Sequence, residues 1–241
     1  MVPWYKTKPG YFEEERSAIL RSQPTLTLGV YSAGTPVGKH QKLSVECALC
    51  LGVYQLRVPD TDRHHDYSVV ILIHPNHPKE IPALFCDDAR LPAGNLDRHI
   101  LRTGQACLGV EADIRNRWNP KSGLMGFLDQ FVAPYLAWQV YYEAHGCAGP
   151  FGERSHGALG ILEFYAEILS VTEHKFIPGL MALIGSHARP KGHIPCPCGS
   201  GLRLRDCHAQ AVWQCYGKLR QQDVLNDLSR IREEMAGGFA P

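Results

Sequence analysis

The sequence lacks three features that would each assign it to a broad class. It has no run of about 18 apolar residues, so no transmembrane helix is expected. Its formal net charge is only +1 over 241 residues, which gives no electrostatic reason to expect nucleic-acid binding. Its first residues, Met1 to Lys6, lack the basic-then-apolar pattern of a secretion signal. We therefore expect a cytoplasmic protein with neither a membrane nor a nucleic acid as partner.

Nine cysteines are the most informative feature of the composition. In a reducing cytosol, cysteines serve more often in catalysis, metal binding or buried packing than in disulfides. Hydrophobic residues make up 44% of the chain and charged residues 20%, which is enough apolar surface for a globular core. Sorting the cysteines by their sequence context therefore decides which functions are possible.

The hydrophobic pattern predicts an α+β fold in which helices pack on an antiparallel sheet. Strands are expected over 24–32, 42–59, 66–73 and 83–86, and helices over 11–22, 124–142 and 157–171. The β-branched run in 66–73 is typical of a strand buried on both faces. Pro134 predicts either a kinked helix or the start of a second helix at its first turn.

Composition predicts four successive regions. A main domain covers residues 1–184, and a linker rich in Gly, Pro and His covers 185–195. A dense Cys/His cluster follows at 196–208. Residues 209–241 are expected to form one amphipathic helix, over about 209–235, and a tail.

The cluster has the spacing of a metal site. Cys196 and Cys198 are separated by one residue, and Cys207-His208 follow after eight more. Four such soft ligands suit a tetrahedral structural Zn²⁺ site, although a tail without metal remains the alternative. The run Cys-Pro-Cys-Gly-Ser-Gly resembles the SEC-C motif found at the C-terminus of the SecA translocation ATPase, with Leu202 to Arg205 in place of a lysine-rich link. The resemblance implies a small zinc element that binds other proteins.

Cys107 is the candidate nucleophile, because it closes a long loop that spans residues 87–106. His99, Arg98 and Arg102 precede it and are candidates to stabilise a thiolate. The alternative on local chemistry is a buried free cysteine with a packing role.

The motifs on either side of Cys107 follow an order that resembles the ubiquitin-conjugating-enzyme-like (UBC-like) family. The strand from Tyr67 to Ile73 and the three prolines after it resemble a strand of the family and its proline-rich continuation. The segment from Gly104 to Leu108 resembles the one that carries the active-site cysteine, and Trp118-Asn119-Pro120 resembles the family's Trp-Ser-Pro. The resemblance implies a UBC-like fold.

Asp97-Arg98-His99-Ile100 occupies the place of the family's His-Pro-Asn-Ile, because Ile100 lies seven residues before Cys107 as in the family. His99 therefore stands where the family has asparagine, a combination closer to the bacterial UBC-like branch. A separate His74-Pro75-Asn76 spells the family's tripeptide, but it lies 31 residues before Cys107 and belongs to the proline-rich turn.

The resemblance covers roughly residues 10–170 and implies an acyltransferase that forms a thioester on Cys107 and passes the acyl group to an amine. His99 would donate a hydrogen bond to the oxyanion, act as a general base or stabilise the thiolate. The candidates to take the proton of the attacking amine are Asp97, Glu111 and Asp113. Of these, Asp97 lies in the Asp97-Arg98-His99-Ile100 motif.

Members of the bacterial branch accompany ubiquitin-like systems and cyclic-oligonucleotide antiphage operons. The resemblance implies antiviral defence, with a protein modifier or the C-terminus of a nucleotidyltransferase as acyl donor. A separate activating enzyme is a further possible partner, because the sequence has no glycine-rich nucleotide loop of the usual form. Two other functions stay open: a non-catalytic UBC-like adaptor that binds proteins through the zinc element, and a cysteine hydrolase that removes a modifier.

Cys47 and Cys50 have a Cys-x-x-Cys spacing that is also typical of redox or zinc sites. Because both lie in a predicted strand, three residues apart, we expect them on opposite faces and in packing roles. Cys86 and Cys215 are likewise expected to pack, and for Cys147 a resolving or metal role stays open.

Overall fold

A computed structural model of the protein describes residues 2–39, 41–57, 64–146 and 154–236. The chain forms two compact units. The sheet unit comprises Met1–Leu108 and Trp118–Phe151, and the helical unit comprises Gly109–Arg117 and Gly152–Pro241. None of the helices in the described ranges combines the length and the apolar character needed to cross a membrane. Cys147 lies outside the described residues.

The elements of both units follow in chain order. The strands are β1 Leu26–Tyr31, β2 Pro36–Gly38, β3 Gln41–Lys42, β4 Cys47–Arg57, β5 His64–Ile73 and β6 Ala83–Cys86. The α-helices are α1 Trp4–Thr7, α2 Pro9–Ser22, α3 Glu111–Arg117, α4 Gly123–Phe127, α5 Ala133–His145, α6 Gly157–Leu169, α7 Ile177–Ile184, α8 Ala209–Lys218 and α9 Gln221–Ala236. A 3₁₀ turn at Leu96–Arg98 lies in the loop before Cys107, and a π turn at Leu128–Val132 lies between α4 and α5.

Four strands form an antiparallel sheet in the order β1-β4-β5-β6, while β2 and β3 form a separate ribbon. This confirms the predicted combination of an antiparallel sheet with helices. β4 and β5 pair in register from Ala48 opposite Ile73 to Arg57 opposite His64. On β5, the alternate residues 67, 69, 71 and 73 are buried, whereas those between them are half-buried or exposed. The prediction of a strand buried on both faces therefore holds fully for one face only.

The ribbon covers the second face of the sheet. Val37 and Leu43 from the ribbon side form a small apolar cluster with Cys47 and Leu49 of β4. Since strand residues alternate between faces, Cys50 lies on the opposite face from Cys47, as predicted. Both thiols are buried, and burial raises the pKa of Cys50 to about 12. They pack in the core and are poor nucleophiles.

Helix α2 is held to the rest of the sheet unit by a polar group in its middle and another just after its C-terminal end. Gln23, just after the helix, donates to the Gln55 carbonyl at 3.2 Å and accepts the Gln55 N–H at 2.9 Å. Glu15 is buried and accepts the N–H of Leu124 at 3.0 Å. Its other oxygen lies 3.6 Å from Nε2 of buried His77. A Cβ at residue 123 would collide with this carboxylate, which accounts for Gly123 there.

We expect Glu15→Ala to destabilise the protein by about 3–5 kcal/mol, because the change leaves a helix N–H and a buried imidazole without their anion. Burial opposes the charge of Glu15, yet the nearby His77 imidazole, the Tyr11 hydroxyl and the N–H of Leu124 lower the pKa of its carboxyl below its usual range. Glu14→Ala is the matched control, since Glu14 is exposed on the same helix. Urea denaturation of the two variants measures the difference. Equal midpoints would contradict the structural role of Glu15.

The helices after the candidate loop follow the predicted helical spacing. Helix α4 runs through the π turn into α5, and Pro134 lies in the first turn of α5. Proline has no N–H to donate, and in a regular α-helix its ring would clash with the carbonyl four residues earlier. The wider π turn before Pro134 avoids that clash. The helical backbone is continuous across both joins, so Pro134 follows the change from π to α geometry and does not begin a separate helix.

The helical unit has one core, shared by α3 and the helices from α6 onward. Its buried side chains include Tyr165, Met181, Leu204, Val224 and Ile231. The sequence placed 157–184 in the main domain, separated from the cluster by a linker at 185–195. The observed division differs, because the apolar faces of α6 and α7 are buried against α9. The linker is also anchored, since the carbonyl of Pro190 accepts the indole N–H of Trp213 at 2.8 Å.

The single helix predicted over 209–235 is wrong. The segment forms two helices, α8 and α9, which are separated at Leu219 and Arg220. Leu219 has extended backbone angles (φ −86°, ψ 145°) and a buried side chain. Burying Leu219 requires the chain to turn there, and amphipathic periodicity alone does not reveal such a turn.

Asp227 makes the stability of the helical unit depend on pH. It is buried on α9 and accepts a hydrogen bond from the Tyr165 hydroxyl at 3.1 Å. Burial raises its pKa to about 6, aided by Glu111 and Asp223 and opposed by the Tyr165 hydrogen bond and by Arg230.

We expect wild type to lose stability relative to Asp227→Asn by about 2–3 kcal/mol as pH rises from 4 to 7. A raised folded pKa means that the folded state binds the proton more tightly. The contribution of protonated Asp227 to the free energy of unfolding is therefore complete below the pKa of the unfolded state, near 4. It is lost as pH rises through the folded pKa of about 6. Guanidinium titrations of both proteins at pH 4.5 and 7.5 test this. A difference in midpoint that is constant with pH would contradict it.

Candidate functional site

Cys196, Cys198, Cys207 and His208 converge in the helical unit. Their ligand atoms all lie within 4.8 Å of one another. Cys198 Sγ lies 3.4 Å from Cys207 Sγ, and His208 Nδ1 lies 3.1 Å from Cys207 Sγ and 3.4 Å from Cys196 Sγ. In a tetrahedral zinc site, ligand atoms are separated by roughly 3.5–3.8 Å. The four side chains therefore fit one metal ion with small adjustments.

Main-chain pairing builds the segment that carries these ligands, residues 194–208, which we call the knuckle. Cys196 donates its N–H to the Leu202 carbonyl at 2.8 Å, and Leu204 donates to Ile194 at 2.8 Å. Between them, Gly199 has φ +75°, and a Cβ there would meet the ring of Phe176 at 2.8 Å. Leu204, 0% exposed, anchors the knuckle in the core of the helical unit. The candidate metal site is thus part of that core.

The thiols of the cluster have unlike environments. Burial raises the pKa of Cys196 to about 11. Burial also raises the pKa of Cys198, but hydrogen bonds from Ser200 and the neighbouring thiols outweigh it and lower that pKa to about 6. Ser200 Oγ lies 3.2 Å from Cys198 Sγ and 3.5 Å from Cys207 Sγ. Arg205, which lies two residues before Cys207, is paired with Asp206 at 3.4 Å.

Cys107 follows a short segment that extends the main sheet. Cys86 donates its N–H to the Gly104 carbonyl at 3.0 Å, and Ala106 donates to Leu84 at 2.8 Å. Residues 104–106 therefore run antiparallel along β6 as an added edge. The next residue, Cys107, is half-buried and has a free thiol. The sheet thus fixes the main chain immediately before the candidate nucleophile.

His99 and Cys107 are joined through the main chain. The Cys107 N–H donates to the His99 carbonyl at 2.7 Å. His99 has left-handed backbone angles, φ 54° and ψ 42°, and the centroid of its half-buried ring lies 5.2 Å from that of Trp138, edge to face. The structure therefore joins the main chains of two of the three predicted catalytic residues.

Asp97, the third, lies on the 3₁₀ turn before His99 and is exposed. Among the described residues, no hydrogen bond or ion pair joins its carboxylate to Cys107. The alternatives Glu111 and Asp113 lie on α3, where they form ion pairs with Arg115 at 3.0 Å and Arg117 at 3.1 Å. Their carboxylates are already engaged, whereas Asp97 faces solvent.

Arg98 does not have the role that its position in sequence suggested. We expected it to help stabilise a thiolate, but its guanidinium is buried against α5, bound to Gln139 and Glu143. These two residues of α5 were not predicted from the sequence. The available signal was Gln139 itself, a polar residue four positions after Tyr135 in the apolar stripe of the helix.

A match to a known family is found at the knuckle and the residues next to it. No curated protein and no solved structure matches the chain. The resemblance to the UBC-like family therefore stays a prediction. Residues 194–210, which include all four converging ligands, match the SEC-C motif, so the chain carries a SEC-C element at the knuckle of its helical unit.

Proposed function

We propose that the protein is a UBC-like acyltransferase that carries the C-terminal carbonyl of a protein as a thioester on Cys107 and passes it to an amine. One observation carries the proposal: a half-buried thiol follows a segment held along β6, and its own N–H is bound to the carbonyl of His99. The order of α2, an antiparallel sheet, the Cys107 loop and then α4 and α5 also supports it. The acyl donor is a protein modifier or a nucleotidyltransferase, in bacterial antiviral defence.

Loading is an exchange of thioesters. Cys107 Sγ bonds to the carbonyl carbon while the bond from that carbon to the sulfur of an activating enzyme breaks. The departing thiolate takes up the proton that Cys107 loses. None of the eight cysteines of the described residues is in a disulfide, which suits this chemistry in a reducing cytoplasm.

Discharge needs a donor for the developing oxyanion. An amine nitrogen bonds to the carbonyl carbon, negative charge forms on the oxygen, and collapse breaks the bond to Cys107 Sγ. The N–H of Cys107 is committed to the His99 carbonyl at 2.7 Å, so it is not available to that oxyanion. The imidazole of His99 is the proposed donor in its place. Asp97, an exposed carboxylate beside it in the chain, is proposed to take the proton of the amine.

The proposed metal of the SEC-C element is Zn²⁺. Three cysteine sulfurs and one imidazole nitrogen are the ligands that zinc prefers in tetrahedral structural sites. All four positions are filled by Cys196, Cys198, Cys207 and His208, which leaves no open position for catalysis. The ion would cross-link the knuckle to the helical unit, which then offers a folded surface to a protein partner.

The test of the function is the intact mass of the tagged protein, produced together with the genes beside its own and measured with and without thiol reductant. We expect a reductant-sensitive adduct of protein size, which is absent in Cys107→Ala and present in the control Cys50→Ala. Sequencing of the linked peptide must show a C-terminal acyl bond, because a mixed disulfide is also sensitive to reductant. Absence of an adduct would favour the adaptor, and loss of a preformed conjugate over time would favour the hydrolase.

We expect His99→Ala to slow discharge of loaded enzyme to an amine by about 10²–10³-fold, because the oxyanion loses its donor. Loading should change much less, since the thiol is retained. His99→Asn, which restores the residue of the wider family, should recover most of the discharge rate. Single-turnover discharge, followed by non-reducing gel electrophoresis, measures all three proteins. Unchanged discharge in His99→Ala would remove His99 from the mechanism.

A further inference from the structure

Arg98 is a buried cation one residue before the proposed oxyanion donor. Its side chain belongs to a residue only 8% exposed. Nε donates to Gln139 Oε1 at 2.8 Å, one terminal nitrogen to the Arg90 carbonyl at 2.7 Å, and the other to Glu143 Oε1 at 2.9 Å. A guanidinium engaged on three sides is held in place and cannot turn toward a thiolate.

Gln139 returns the contact. It is 0% exposed, and its amide nitrogen donates to the main-chain carbonyl of Arg98 at 2.8 Å. The hydroxyl of Tyr135 donates to the same carbonyl at 3.2 Å. Side chain and main chain of Arg98 are therefore both bound by α5. Such a buried polar network, when every member is satisfied, imposes one geometry in a way that an apolar contact does not.

Because His99 follows Arg98 directly, the contacts that fix the main chain of Arg98 also constrain His99. His99 takes left-handed backbone angles although it has a side chain, and surrounding contacts must hold such a residue in place. On one side it follows the bound carbonyl of Arg98, and on the other its ring meets Trp138 of the same helix. Its own carbonyl then accepts the N–H of Cys107. One continuous path of contacts thus runs from α5 to the proposed nucleophile.

We propose that Arg98 and Gln139 are positioning residues, and that their reciprocal pair, the loop latch, sets the place of His99 relative to Cys107. The catalytic consequence rests on the proposed function; the structural consequence does not. An apolar residue at 139 would complete the apolar stripe of α5 without the free-energy cost of burying an amide. With Gln139 in that place, the latch couples α5 to the loop that precedes Cys107.

The structural arm of the test measures hydrogen exchange of the Cys107 amide by NMR. In Gln139→Leu we expect that amide to exchange at least about tenfold faster relative to other amides of the sheet, because its acceptor on His99 is released. Leu136→Ala is the matched control, since Leu136 is buried on the same helix. It should speed exchange only in proportion to the overall loss of stability. Equal protection of the Cys107 amide in Gln139→Leu and wild type would overturn the inference.

The catalytic arm is a double-mutant cycle on discharge. Gln139→Leu should slow single-turnover discharge by about 10- to 100-fold at saturating amine, through misplacement of His99. In a protein that already carries His99→Ala, Gln139→Leu should add almost nothing, whereas a purely structural defect would add its full effect. Additive losses would overturn the positioning role.

The hydrogen-exchange and discharge experiments distinguish failure of the loop latch from failure of the proposed function. If Cys107 never forms a thioester but its amide loses protection in Gln139→Leu, the latch stands and the proposed function fails. If thioester forms and discharges at the wild-type rate in Gln139→Leu, the function stands and the latch fails.

Discussion

Removal of the proposed Zn²⁺ by a chelator, or its loss in Cys198→Ser, is expected to unfold the helical unit. Structural zinc sites contribute folding free energy directly, and small elements that depend on them are unfolded without metal. Here the knuckle is part of a larger core, because Cys196 and Leu204 are buried among residues of α6, α7 and α9. We expect the stability of the helical unit to fall by about 5 kcal/mol or more.

The measurement is hydrogen exchange by mass spectrometry, together with the metal content of the protein. Peptides from α6, α7 and α9 should lose protection on chelation, and zinc should be present at one ion per chain before it. Cys215→Ala is the matched control: it removes a buried cysteine of the same unit that is not among the converging ligands. It should keep the metal and cost only about 1–2 kcal/mol through a small cavity. Full protection of the helices after the metal is gone would contradict a structural role.

The second large effect is expected for Cys107→Ser. A serine at this position can accept the acyl group as an oxyester, but it releases the acyl group poorly. The leaving alkoxide is a much stronger base than a thiolate, so discharge from the oxyester is expected to be much slower than from the thioester. The adduct should therefore accumulate and resist thiol reductant.

Mild alkali should cleave the adduct of Cys107→Ser, because it is an ester. Cys86→Ser serves as the control. Cys86 is buried beside the Tyr135 hydroxyl, and burial raises the pKa of its thiol to about 11, so it is not expected to carry the acyl group. An adduct in Cys107→Ser that disappears with reductant would point to another cysteine as the carrier.

Much of the sheet unit could be predicted from local pattern. The strand at 83–86 was predicted with its observed bounds, and α2 begins two residues before its predicted start, with Pro9 at its N-terminus. The ligand set of the knuckle could also be predicted, because Cys-x-Cys and Cys-His spacing is itself the constraint that a metal imposes. In each case a few neighbouring residues contain the information.

The features that were missed depend on contacts between distant residues. Helix α3 and its inclusion in the helical unit follow from the burial of Ala112 and Ile114, which the short segment does not reveal. The turn at Leu219 requires the core to be known first. Arg98 gave a misleading signal, because a basic residue beside a candidate thiolate is as compatible with a buried network as with catalysis.

The division of the chain has a consequence for how the protein is made on the ribosome. Synthesis runs from the N-terminus, and domains generally fold as they emerge. The sheet unit is complete once Phe151 has been made. Helix α3 belongs to the other unit, yet it is made before α6 through α9. It must therefore wait for partners that are synthesised later, and the four converging ligands arrive later than α6 and α7. Capture of the proposed metal is consequently a late event, and a ribosome that stops before Cys196 is expected to leave a folded sheet unit attached to helices that have no completed core.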